Sequence, residues 1–133
     1  MSMMVGAMGN PKPCDVDYLV QLLAGDRMAA QKLAQLFLEV YPGKVELVNA
    51  ALQRGDWVAL RRSVHDLRGS CALFSATACI SLASKIEKTL PDDVAPDLFE
   101  DCERFKGALA DVAEELRDFL DGVPGSANRS RPQ

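Results

Sequence analysis

The chain has 133 residues, enough for one domain around one core. Aromatic residues make up only 6% against 48% hydrophobic overall, and Ala and Leu are abundant, a balance that favours helix over sheet. The formal charge of −4 argues against general nucleic-acid binding, which needs a basic face, and no apolar run approaches the roughly 18 residues of a membrane span.

Residues 1–13 read as a flexible leader ending in Pro11-Lys12-Pro13. The leader has neither a charged start nor a proper apolar stretch, so it is not read as a signal peptide. A short first helix is expected from about Asp15 to Ala24, capped by Asp15, with Leu19, Leu22 and Leu23 on its apolar side and Gly25 ending it. The second starts near Asp26. Leu33, Leu36, Phe37, Val40, Val45, Val48 and Leu52 continue its stripe to Gly55. Pro42 removes a backbone donor within this run and is expected to kink the helix or split it in two.

The third helix opens at Asp56, directly after Gly55. Its stripe is Leu60, Val64, Leu67, Cys71 and Phe74, and it stops near Ser75-Ala76-Thr77. Ile80, Ala83, Ile86 and Leu90 mark the core side of the fourth helix, which Pro91 ends. After the loop to Pro96, the last helix carries Leu98, Cys102, Phe105, Leu109, Val112, Leu116 and Phe119 in alternating steps of four and three. Such a seam suits lengthwise packing between nearly aligned helices. The expected fold is all-α: an antiparallel up-and-down four-helix bundle over residues 14–122, with a short additional N-terminal helix. Residues 123–133 read as a disordered tail.

The four cysteines form no Cys-x-x-Cys pair and read as buried thiols in a reducing cytosol. With one histidine and scattered cysteines, the chain lacks the spacing of a metal site. Ser63 and Ser70 share a helix with the histidine but not at a spacing that orients a triad, and nothing suggests an oxyanion hole.

The single histidine, His65, lies in His65-Asp66-Leu67-Arg68-Gly69-Ser70. At 100° per residue it falls about 130° from the centre of the third helix's stripe, outside the core. Val58, Arg61, Arg62, Gly69 and Ala72 share its side and are the candidate partner-binding residues. Gly69, one turn on, costs the helix about 1 kcal/mol relative to alanine. Together with Ala72 it leaves a shallow floor where a partner's backbone can approach. Arg68 lies between that side and the core edge, so its stem can pack while its guanidinium reaches outward. From Arg54 to Arg68 four arginines face two aspartates, a local charge of +2 in an acidic chain. A phosphoryl group on imidazole carries about two negative charges near neutral pH, and Arg68 is placed to hold its oxygens.

At these residues the sequence resembles the histidine-containing phosphotransfer (HPt) domains of two-component phosphorelays. The family pattern, His-x-x-Lys-Gly-Ser, matches His65 to Ser70, and Ile86-Glu87 takes the place of a Leu-Glu on the next helix. Ala51 to Trp57 resembles the lead-in to the family's active helix, and Phe37 fits its helix-borne aromatic. The likeness covers about residues 15–120. Two positions depart from the pattern: Arg68 stands for the usual lysine, and Ser75 for the usual glycine at the end of the active helix. A planar fork and a point charge are not equivalent at a phosphate.

The resemblance implies that His65 accepts a phosphoryl group from the aspartyl phosphate of a receiver domain and passes it to another receiver. Neutral imidazole is the nucleophile, and a histidine of ordinary pKa is mostly neutral at pH 7. The chain would have no cofactor of its own; the receiver would supply Mg²⁺. With no Walker-type glycine loop, the chain is expected to be a phosphocarrier and not an ATP-using enzyme. Its expected partners are receivers of response regulators or of a hybrid sensor kinase, with no nucleic acid and no membrane contact. It is expected to be a cytoplasmic monomer, either free-standing or the terminal module of a hybrid kinase. The alternative is an adaptor that binds receivers without taking phosphate. A third reading is a plain helical interaction module in which the histidine is incidental.

Overall fold

The computed structural model describes residues 12–122. Residues 1–11 of the expected leader and the whole expected tail lie outside the described residues. Among the described residues five helices follow in order: α1 (Val16–Leu22), α2 (Arg27–Arg54), α3 (Trp57–Leu73), α4 (Thr77–Thr89) and α5 (Leu98–Leu120). No strand occurs among the described residues. Each of the four long helices packs on the next, α2 packs back on α5 to close the ring, and α1 lies on α2.

The first three helices start on the same device. Asp15, Asp26 and Asp56 each accept a hydrogen bond from the backbone N–H three residues on, at 3.0, 3.0 and 3.1 Å. Each satisfies one donor that the first turn cannot pair internally. Gly55, at φ +67°, adopts the left-handed conformation that ends α2 and turns the chain into α3. The end of α3 uses the same conformation without a glycine: Ser75 sits at φ +52°. The segment leading into α1 then closes this corner, as Asp15 N–H donates to the Phe74 carbonyl at 2.8 Å.

The core stripes of α3 and α5 lie where their periodicity places them. Leu60, Val64, Leu67, Cys71 and Phe74 are buried, and so are all seven members of the α5 seam. The cysteines are free thiols and all four are buried, Cys79 included, although its position reads as off the main stripe.

Helix α2 departs from expectation in two ways. It runs unbroken for 28 residues through Pro42, so the expected split does not occur. A proline removes one hydrogen bond of the ladder. Here the ring is exposed, while Phe37 and Val48 are buried to either side and anchor both halves on the core. Second, Leu36 and Val40 face solvent, as does Leu22 of α1. Ala30, Ala34 and Ala51 are buried instead. These small side chains carry the contact line of α2, leaving Leu36 and Val40 on its flank. Phe37 fills the line between them: its ring stacks on Tyr41 at 5.3 Å and meets Phe74 edge-on at 5.4 Å.

Candidate functional site

His65 lies near the middle of α3, whose inner face is fixed by Leu60, Val64, Leu67 and Cys71. Those anchors turn position 65 outward, and its side chain is 57% exposed. The ring nonetheless has a firm partner. Nδ1 lies 2.9 Å from Oε1 of Glu87, a carboxylate on α4 whose side chain is only 8% exposed. Ile86 and Ala83 bury that face of α4 and hold Glu87 at the α3–α4 seam.

Arg68 completes the cluster. Its Nε lies 3.0 Å from Glu87 Oε2, its Nη1 donates to Ser84 Oγ at 3.4 Å, and its Nη2 lies 3.2 Å from His65 Nδ1. The Nε–Oε2 contact has the distance of an ion pair without the alignment of a hydrogen bond, so Oε2 is balanced in charge but lacks an aimed donor. Nδ1 cannot donate to Glu87 and accept from Arg68 at once. An ionised carboxylate only accepts, and its contact is the shorter one, so Nδ1 carries the proton and donates to Oε1. The tautomer follows from the partner, and it leaves the lone pair on Nε2.

Around the ring, Val58, Arg61, Arg62, Gly69 and Ala72 are all exposed. Four groups at the site, Val58, Arg61, Arg62 and His65, line one shallow hollow of about 350 Å³ with Pro91. Arg61 also bridges to α4, its Nε donating to the Glu87 carbonyl at 3.4 Å. A side chain at Gly69 would meet nothing within 4 Å, so this glycine packs against no neighbouring helix. Beyond it, Leu36 and Val40 of α2 and Ser70 and Leu73 of α3 border an apolar groove of about 220 Å³. Lys44, at that border, lies 3.8 Å from Asp66.

Sequence reasoning put Glu87 in the family pattern but not in the site. A signal was present: Glu87 falls one turn after Ala83, on a core-facing position of α4. An acid there calls for a buried partner. Among the described residues no group of three or more His, Cys, Asp and Glu side chains could hold a metal ion, and no helix is long and apolar enough to cross a membrane.

Fold and site together define a class: a helical bundle that offers one oriented histidine on an open face and not in a cleft. The chain belongs to the Hpt domain family, whose model matches residues 32–123, more than half of its length. The match takes in α3, α4, α5 and most of α2, and leaves out α1. Neither curated proteins nor solved structures give a match to this chain. Membership implies phosphotransfer in two-component phosphorelays and interaction with receiver domains; domains of this family are phosphocarriers.

Proposed function

We propose that His65 is the phosphoacceptor, taking a phosphoryl group on Nε2 from a receiver's aspartyl phosphate and passing it to a second receiver. The observation that carries this reading is the pairing of 57% exposure with the 2.9 Å contact from Nδ1 to Glu87. The ring is held from behind, and its free nitrogen is open to a partner. In the first transfer, the P–O bond to the receiver's aspartate breaks as the Nε2–P bond forms, and the electron pair goes to the aspartate carboxylate. The second transfer reverses these steps on a new aspartate. In-line transfer of this kind asks the carrier mainly for position and charge compensation. Arg68 supplies the charge: its guanidinium already lies beside the ring, and Nη2 can turn to a phosphoryl oxygen.

Val58, Arg61, Arg62, Gly69 and Ala72 form the floor on which the receiver rests, and the groove beside Leu36, Val40 and Leu73 extends it. The receiver brings Mg²⁺ and most of the catalytic groups; this chain uses no cofactor of its own. It acts as a monomer on the cytoplasmic side of the membrane.

The test is incubation with candidate phosphorylated receivers carrying radiolabel. The wild type should take up label that is acid-labile and base-stable, as a phosphoramidate is. His65→Gln should take up none while keeping its far-UV helix signal. Retained uptake in that variant sinks the assignment. Binding of receivers without any label in the wild type would make the chain an adaptor instead.

A further inference from the structure

The hollow of about 350 Å³ beside His65 has a chemistry of its own. Val58, Arg61, Arg62, His65 and Pro91 line it, and neither Glu87 nor Arg68 borders it. Those two hold the ring at Nδ1, Glu87 Oε1 at 2.9 Å and Arg68 Nη2 at 3.2 Å, so the part of the imidazole that faces the hollow is the part that carries Nε2. We infer that Arg61 and Arg62 cradle the phosphoryl group once it sits on Nε2, from the side opposite Arg68. The inference rests on His65 being the phosphoacceptor.

Helix geometry puts the two arginines there. A side chain on an α-helix leans over the turn that precedes it. The His65 ring therefore hangs over the turn of α3 that holds Arg61 and Arg62, four and three positions back. Arg68 leans onto the ring from the turn that follows. Its nitrogens are all engaged behind the ring: Nε with Glu87, Nη1 with Ser84 and Nη2 with Nδ1. To meet a phosphoryl oxygen it must give up one of these contacts. Arg61 uses only Nε, on the Glu87 carbonyl at 3.4 Å, and keeps both terminal nitrogens. Arg62 has neither a hydrogen bond nor an ion pair among the described residues.

The local charge calls for an anion. No carboxylate lines the hollow. The buried Glu87 is turned to Nδ1 and Arg68, and Asp66 is turned to Lys44 of α2 at 3.8 Å. Two neighbouring guanidinium groups thus share one open hollow with nothing to balance them. A phosphoryl group carrying about two negative charges supplies that balance, and the planar guanidinium meets its oxygens with paired N–H donors. Val58 and Pro91 form apolar walls, so the anion keeps water on its open side. The arginines stay protonated and only form and release hydrogen bonds, so the bonds made and broken in transfer are unchanged. Both are exposed, and screening keeps each contact modest.

The experiment loads the protein with phosphoramidate, without any receiver, and follows the phosphohistidine signal by ³¹P NMR as pH is varied. His65→Gln is the blank. With Arg61→Ala and Arg62→Ala combined, the phosphoryl group should titrate about half a pH unit higher than in the wild type, because a nearby cation favours the dianion. Arg61→Lys with Arg62→Lys keeps both charges and should stay near the wild type. Loading by the anionic donor should be about threefold slower in the double alanine variant at low salt, and the gap should close at high salt. A purely structural role for the arginines would move neither the titration nor the salt dependence. Normal loading with coincident titrations in wild type and double alanine variant would overturn this inference and leave His65 as the acceptor. A wild type that takes no phosphate, or a His65→Gln that loads equally, sinks it together with the reading beneath it. If the double alanine variant fails to fold, Arg62→Ala decides, since that side chain holds no partner in the fold. An upward shift in it supports the cradle, and no shift overturns it.

Discussion

Arg68 and Glu87 stand 19 positions apart in sequence, on different helices, yet the guanidinium Nε lies 3.0 Å from the carboxylate Oε2. The same guanidinium reaches the imidazole with Nη2. One cation therefore serves two groups, balancing a buried charge and standing ready for a phosphoryl oxygen. Removing it should be felt in both. Arg68→Ala is expected to slow phosphoryl uptake from a receiver by about tenfold, less than the loss of a preorganised donor in a closed active site because this face is open to water. It should also cost about 1 kcal/mol of stability, since the buried Glu87 carboxylate loses its counter-charge, an effect moderated because the arginine side of the pair is 36% exposed. Arg68→Lys should recover stability more fully than rate, because a point charge can meet one oxygen at a time. Stopped-flow transfer assays and urea titrations measure the two effects. Equal rates in Arg68→Ala and wild type would confine this residue to a structural role.

Docking should be separable from chemistry. A side chain at Gly69 has open space before it, so Gly69→Leu can be accommodated by the fold while rising from the floor beside His65. Receiver binding is expected to weaken by about tenfold, with helix content unchanged. Leu36 is 54% exposed and Leu73 41% exposed on the two walls of the neighbouring groove. Leu36→Asp should weaken the same complex without touching the phosphohistidine lifetime of the isolated protein. Calorimetry against a receiver that loads the wild type checks both variants. Unaltered affinity in both would move the footprint elsewhere on the bundle.

These expectations were legible in the sequence to unequal degrees. His65 and Arg68 could be placed because both lie on one helix whose stripe is regular, and an angle from that stripe fixes exposure. Glu87 was harder, since its partner is on another helix and periodicity alone does not say which acid meets which base. The exposure of Leu36 and Val40 was hidden for a related reason. By residue type leucine and valine belong to a core, yet Ala30, Ala34 and Ala51 hold the contact line because small residues let α2 approach its neighbours. At Pro42 local rules expect a kink or a split, and the split does not occur: packing on both sides of one missing hydrogen bond carries α2 through it.

Ser75 offers a test of local strain. It occupies the left-handed region at φ +52°, where a Cβ is crowded against the backbone and glycine is not. Ser75→Gly relieves that crowding but frees the unfolded chain, so the net gain should be about 0.5–1 kcal/mol. A rise in the urea midpoint at unchanged slope would show it. A fall would mean that the serine side chain contributes more to this corner than the backbone conformation costs.

Alkaline stability should depend on the buried thiols. Burial pushes Cys14 from about 9 up to about 12 and Cys102 up to about 11. Cys79 is also raised, first by its hydrogen bond with Cys71 and then by burial. In each case the folded protein holds the proton that the unfolded chain releases near pH 9. The contribution is therefore complete below pH 9 and is lost as pH rises toward the folded-state values. Between pH 9 and pH 10 each thiol should cost about 1 kcal/mol of stability. Replacing Cys14 and Cys102 by alanine removes two such groups. The double variant should start less stable at pH 7 because of the cavities, yet lose stability less steeply than wild type above pH 9. Urea titrations at pH 7, 9 and 10 give the slopes. Parallel slopes for the two proteins would show that these thiols ionise alike in the folded and unfolded chains, against the burial seen at both positions.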